Sequence, residues 1–240
     1  MAKKELATKE NNLPAMAQGS WGAESADTSD ILIPRIRIMQ GLSKLVSSGE
    51  AAVGEIRDTV EGKFLGGKKG KEILPVDIII FDSFKTWSEF KMNDGKWDFF
   101  RTIPMDSSNS DLPLEDLVDG HATRRDKVLN FYCLLASEVK EGVAFPYLLS
   151  LSRTSYTCGK KLMTAFAKLK VFKKPVAAKH FMLTPVFTEN DKGSFFAFDV
   201  TQGDNSSETE LSEAYKWHMA LKSMKVKVQD ELETSEDIPF

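Results

Sequence analysis

The chain has 240 residues, 42% of them hydrophobic and 28% charged, a composition that fits one large or two small globular domains. It holds no apolar run of about 18 residues, so no helical membrane span is expected, and the opening Met1-Ala-Lys-Lys-Glu5 lacks the apolar centre of a secretion signal. The net charge of −3 is unevenly spread: residues 1–30 hold three Lys and five acids, and the stretch from Asp230 holds five acids and no base, which leaves the middle at +4.

Between positions 121 and 181, twelve Lys or Arg stand against three acids. A basic body with an acidic end points to a polyanion partner and to a second surface for something else. The competing reading is a solvated lysine-rich face. Cys133 and Cys158 lie far apart at no metal-ligand spacing, and read as small hydrophobes in a reducing cytoplasm.

In chain order, residues 1–30 are rich in Ala, Ser, Gly, Asn and Glu and are expected to be disordered. One folded domain is expected over 31–229. Pro34 forbids a helix interior, so Ile31-Leu-Ile-Pro-Arg-Ile-Arg-Ile-Met39 reads as extended. Positions 52–105 carry a β pattern. Gly66-Gly67-Lys68-Lys69-Gly70-Lys71 reads as a flexible basic loop without P-loop spacing. Residues 73–81 read as a buried strand, and their continuation to Lys91 as a more exposed one. Asn93-Asp94-Gly95 is a hairpin signal; with Asp94-Gly95 as the loop, Lys91 faces Asp98 and Phe90 faces Phe99. Residues 106–120 read as a loop or insertion.

Strands follow near 128–138 and 143–151. Thr154 or Ser155 then caps a helix running to about Lys170, with Leu162, Phe166 and Leu169 on its core face. Pro175 stops it. Residues 176–187 and 194–200 form a hairpin, with Pro185 at an edge or bulge. Ser207-Glu208-Thr209-Glu210 is a capping box for a last helix, whose apolar side is Leu211, Ala214, Tyr215, Met219 and Met224. The sum is a mainly β, α+β fold. An oligonucleotide/oligosaccharide-binding (OB) barrel with insertions, one helix between strands and a C-terminal helix fits it. Other small β-rich α+β folds fit nearly as well.

No catalytic motif stands out. The three histidines, His121, His180 and His218, fall in no His-x-Glu or nucleophile-elbow pattern. Asp77, Asp82 and Asp98 would bind a metal only by converging in space. No cofactor or metal is expected, and a binding protein is the better default than an enzyme.

Single-stranded DNA asks for cations along its phosphates and flat rings against its bases. The two types interleave here. Lys85, Trp87, Phe90, Trp97, Phe99 and Arg101 lie on the hairpin; Arg124, Arg125 and Lys127 follow on the next strand; Arg153, Tyr156, Lys160 and Lys161 open the basic helix. Strand aromatics are also the ordinary stock of a core. Trp87 and Trp97, beside charges near a turn, are the rings best placed for stacking.

Glu236-Asp237-Ile238-Pro239-Phe240 resembles the C-terminal tip of bacterial single-stranded-DNA-binding proteins, in which an acidic run ends in Asp-Ile-Pro-Phe. The resemblance implies a tip that enters an apolar, basic-rimmed pocket on host replication, recombination or repair enzymes. Leu32-Ile-Pro-Arg-Ile-Arg-Ile-Met-Gln-Gly-Leu-Ser43 and Gly54-Glu-Ile56 look like the start of bacteriophage proteins, some described as single-stranded-DNA-binding. Together the resemblances imply a phage protein that coats single-stranded DNA in the host cytoplasm and recruits host enzymes through its tail; self-association into a homo-oligomer is left open. An adaptor that sequesters host repair enzymes, and a strand-annealing protein, are the alternatives.

Overall fold

The computed structural model of the chain describes residues 32–118, 120–191 and 193–224. The expected N-terminal disordered segment and the acidic tail, with Glu236, Asp237, Ile238, Pro239 and Phe240, lie outside them.

The fold is mainly β, with open sheets and a few helices. Its spine is one long strand, β5 (Val76–Asn93), which follows Pro75 and ends at the Asp94-Gly95 turn. A smaller sheet precedes it, in the order β1 (Ile36–Ile38), β2 (Glu55–Asp58), β3 (Phe64–Lys69), β4 (Glu72–Leu74), with the short helix α1 (Lys44–Ser47) between the first two. After β5 come β6 (Lys96–Pro104), β7 (Glu115–Val118), β8 (His121–Leu135), α2 (Ala136–Glu141), β9 (Tyr147–Leu151) and α3 (Tyr156–Val171). The chain closes with β10 (Lys179–Asn190), β11 (Gly193–Asn205) and α4 (Glu208–Met224). The larger sheet runs β11-β10-β5-β8-β7, with β6 also beside β5 and β9 also beside β8.

Residues 76–81 are almost all apolar because both faces of the sheet are covered there. Ile78 and Ile80 join Phe131, Leu149, Leu151, Phe181 and the α3 residues Leu162 and Phe166 in one buried cluster. Ile79 and Phe81 point the other way, into a second cluster with Leu134, Val139 of α2, and Ala214 and Leu221 of α4. α3 lies close against β8: a Cβ on Gly159 would sit 2.7 Å from Leu129 Cδ1.

Two links join the sheets. Arg35 makes a parallel bridge to Leu148, and the Leu148 N–H donates to Pro34 O at 2.9 Å. At the far edge the Gln40 side-chain amide behaves like a strand residue, donating to Phe196 O at 2.7 Å and accepting from the Phe196 N–H at 3.1 Å.

The expected hairpin register is present, with Lys91 opposite Asp98 and Phe90 opposite Phe99. The 66–71 stretch is not a flexible loop. Residues 64–69 and 72–74 pair as β3 and β4, turning at Gly70-Lys71. Gly66 and Gly67 are packing residues. Gly67 has φ +91°, and a Cβ there would lie 2.5 Å from Gly54 O and 2.6 Å from Ile56 N. Gly67→Ala therefore pits a side chain against backbone that has nowhere to move. We expect it to lower the unfolding free energy by about 2 kcal/mol, read as a lower urea midpoint at unchanged slope.

The capping box of α4 forms as its sequence indicates: the Ser207 N–H donates to Glu210 Oε2 at 2.7 Å, and the Glu210 N–H to Ser207 Oγ at 3.3 Å. The apolar face of that helix differs from expectation. Ala214, Leu221 and half-buried Trp217 pack inward, whereas Tyr215 and Met219 are exposed. Neither Thr154 nor Ser155 caps α3 through its side chain; Ser155 Oγ accepts the Phe198 N–H at 3.1 Å instead, tying the helix start to β11. Among the described residues no helix is long and apolar enough to cross a membrane.

Candidate nucleic-acid interface

Beyond the core, β5 and β8 continue together as a ribbon, with β6 on the outer side of β5 and β7 on the outer side of β8. Side chains alternate along paired strands, so the register sorts the predicted residues by face. Trp87 stands opposite Lys127, Glu89 opposite Arg125 and Lys91 opposite Thr123 on one face. Phe90 stands opposite Arg124 and Ser88 opposite Asp126 on the other.

On the first face, Trp87 is fully buried rather than an open ring. Its indole N–H donates to Asn109 O at 2.9 Å, and the Lys127 ammonium lies 4.9 Å from the ring centre. A neighbouring charge did not keep this ring in water: the half-buried Lys127 sits over it. Arg125 turns inward in the same way. It is buried against Glu89, which is itself 0% exposed, with Nε 2.6 Å from Oε2. Arg101 reaches the other Glu89 oxygen at 2.9 Å while more than half of its side chain stays exposed.

On the second face, Phe90 is buried too, meeting half-buried Phe99 edge-on at 5.8 Å between ring centres. The Arg153 guanidinium stacks 5.1 Å from the Phe90 ring centre and also donates to Asp126. Arg124 reaches the same carboxylate at 3.4 Å. Arg153 is held with φ +44°, in the left-handed region a non-glycine residue rarely adopts. Half-buried Trp97 sits opposite Met92 near the tip.

The α3 residues stand apart from the ribbon's rings. Tyr156 packs on the main core with the exposed Lys160 ammonium 5.3 Å from its ring centre. Lys161 donates to Asp199 of β11 at 2.6 Å, and this hydrogen bond holds the Asp199 carboxyl below the ordinary range. Lys85 is exposed on β5.

One ring of the interleaved hairpin stretch, not singled out as a candidate, belongs to this surface. Between the pairs Glu89–Arg101 and Phe90–Phe99 the register slips, and Phe100 is the extra residue of a β-bulge. Its ring is 47% exposed, with the Lys91 ammonium 3.7 Å from its centre and the Arg101 guanidinium at 5.4 Å. Only the bulge, which a linear alternation pattern does not reveal, re-aims this ring outward.

The three aspartates considered for a metal do not converge. Asp77 pairs with His180, Asp82 lies 3.4 Å from His218, and Asp98 accepts from the Asn93 side chain at the hairpin tip. Among the described residues no group of three or more His, Cys, Asp or Glu side chains is placed to hold a metal ion. His180 bridges Asp77 of β5 (3.0 Å) and Glu210 of α4 (3.2 Å) beside a cleft of about 530 Å³. Burial works to raise the Glu210 carboxyl, but the Ser207 N–H and hydroxyl, with His180, hold it below the ordinary carboxylate range. Those partners make the cluster a fastening for α4. Both cysteines are free and buried, and burial pushes the Cys158 thiol up to about 12.

No curated protein and no solved structure matches the chain. A family model described as Pam3 phage gp34-like protein matches residues 3–227, which spans both sheets and all the helices above. The chain therefore belongs to the Pam3 phage gp34-like protein family and is a bacteriophage protein.

Proposed function

We propose that this phage protein binds single-stranded DNA along the β5–β6–β8 ribbon and acts as a coating and recruiting protein in phage DNA replication or recombination rather than as an enzyme. The observation that carries the reading is Phe100, an exposed ring on a bulge between two cations, Lys91 and Arg101. That is the pairing of stacking face and phosphate counter-charge that single strands require. Lys85 and Lys127, on the same face of the paired strands as Lys91, extend the positive surface. In this reading the ribbon serves as the strand-2–3 face of an OB-like barrel, an assignment supported by the Gln40 and Arg35 links that draw the two sheets around one cluster. The tail at Glu236, Asp237, Ile238, Pro239 and Phe240 would dock on host replication or repair enzymes in the bacterial cytoplasm, as its resemblance implies.

The test is fluorescence anisotropy with labelled oligo-dT across a salt series. Binding at low salt that weakens steeply as salt rises supports phosphate contacts, and removing residues 237–240 should leave it intact while abolishing capture of host enzymes. Absence of binding at low salt, with host-enzyme capture intact, would overturn the reading in favour of an adaptor that sequesters those enzymes.

A further inference from the structure

Between β6 and the end of β7 the chain carries four acids, Asp106, Asp111, Glu115 and Asp116, and no Lys, Arg or His. This acidic strap lies along the basic strand β8. Glu115 pairs opposite Arg124. The Arg125 N–H donates to Leu114 O at 2.7 Å, its guanidinium to Pro113 O at 3.1 Å, and Asp116 stands 3.5 Å from the same guanidinium. Asn109 O takes the indole N–H of Trp87.

What the strap gives to the core is slight. None of residues 106–118 is buried, and Leu114 and Leu117 are 59% and 74% exposed. A segment held by hydrogen bonds and charge, with two of its leucines in water and none of its residues buried, belongs to the low-stability end of a fold. What it covers is different in kind: a fully buried indole and a buried guanidinium, the two groups that stack bases and pair with phosphates. The charges also balance. Asp116 completes a set with Glu89, Arg101 and Arg125; with Asp116 withdrawn, two guanidinium groups share one carboxylate.

We infer that the 106–118 strap is a built-in polyanion mimic, which covers part of the nucleic-acid site and gives way when a phosphate backbone takes its place. The inference rests on the DNA-binding reading above. On binding, a phosphate replaces Asp116 and the Pro113 carbonyl at Arg125, and Trp87 comes within reach of a base.

Hydrogen–deuterium exchange of the full chain, alone and saturated with oligo-dT, tests this without any variant. Displacement predicts faster exchange across 109–118 in the complex. A second measurement uses the variant Asp106→Asn, Asp111→Asn, Glu115→Gln, Asp116→Asn, expected to bind oligo-dT about tenfold tighter at low salt. Its control neutralises four exposed acids elsewhere, Glu50→Gln, Glu61→Gln, Glu72→Gln and Glu189→Gln, and should gain much less. Unchanged or slower exchange of 109–118 in a formed complex, or equal gains in variant and control, would overturn the strap and leave DNA binding standing. Failure of both wild type and strap variant to bind would overturn the two together.

Discussion

Arg125→Met is expected to cost about 3–5 kcal/mol of folding stability. Glu89 is completely excluded from solvent, and among the described residues Arg125 is its one buried ion-pair partner. Removing the guanidinium leaves a carboxylate in a low-dielectric setting with only Arg101, whose side chain is 53% exposed and whose attraction is correspondingly screened. Met matches the stem of Arg, so the loss reports charge rather than a cavity. Arg101→Met should cost only about 0–1 kcal/mol. The double change Glu89→Leu with Arg125→Met should regain most of the single-variant loss, because two matched apolar groups replace a buried pair at little net cost. Urea unfolding followed by far-ultraviolet circular dichroism decides the matter: a shift for Arg125→Met no larger than that for Arg101→Met would show that Glu89 is not held as described.

Phe100→Ala should weaken oligo-dT binding by about 1–3 kcal/mol, the worth of one stacked base, or roughly fivefold to 150-fold in dissociation constant. Its urea midpoint should move little, since the ring is half in water. Lys85→Ala should act differently, lowering the slope of log affinity against log salt by about 1 with a smaller change in affinity at any one salt. Equal binding by wild type and Phe100→Ala would remove the ring from the interface and with it the main support for the ribbon as the binding surface.

Local chemistry made parts of this fold legible. The Asp94-Gly95 turn set the register of its hairpin, because a two-residue loop admits few alternatives. Ser207 and Glu210 announced α4 through reciprocal hydrogen bonds four residues long. What failed depended on distant partners. Gly67 looks like a loop residue until the backbone of residues 54–56 is laid against it, and Gly66 until residues 74–76 are. Trp87 looks exposed beside its charges until Asn109, far along the chain, arrives to take its N–H. Of the candidate site, the residue types were readable and the faces were not. Trp87, Phe90 and Arg125 turn inward, and Phe100 turns outward at a bulge whose position no alternation rule contains.

The length of β5 has a mechanical meaning. Its 18 residues make about 60 Å of contour at roughly 3.3 Å each, the first third clamped between two apolar clusters and the remainder projecting beside β8. Such a strand is a cantilever. Force applied near Asn93 would run along unbroken covalent backbone to Ile78 and Ile80, past the pairing irregularity between Ile80 and Asp82 where the ladder with β8 loses register. Load on the tip is thereby delivered to the root of the sheet, where β10 and the His180 fastening of α4 are anchored.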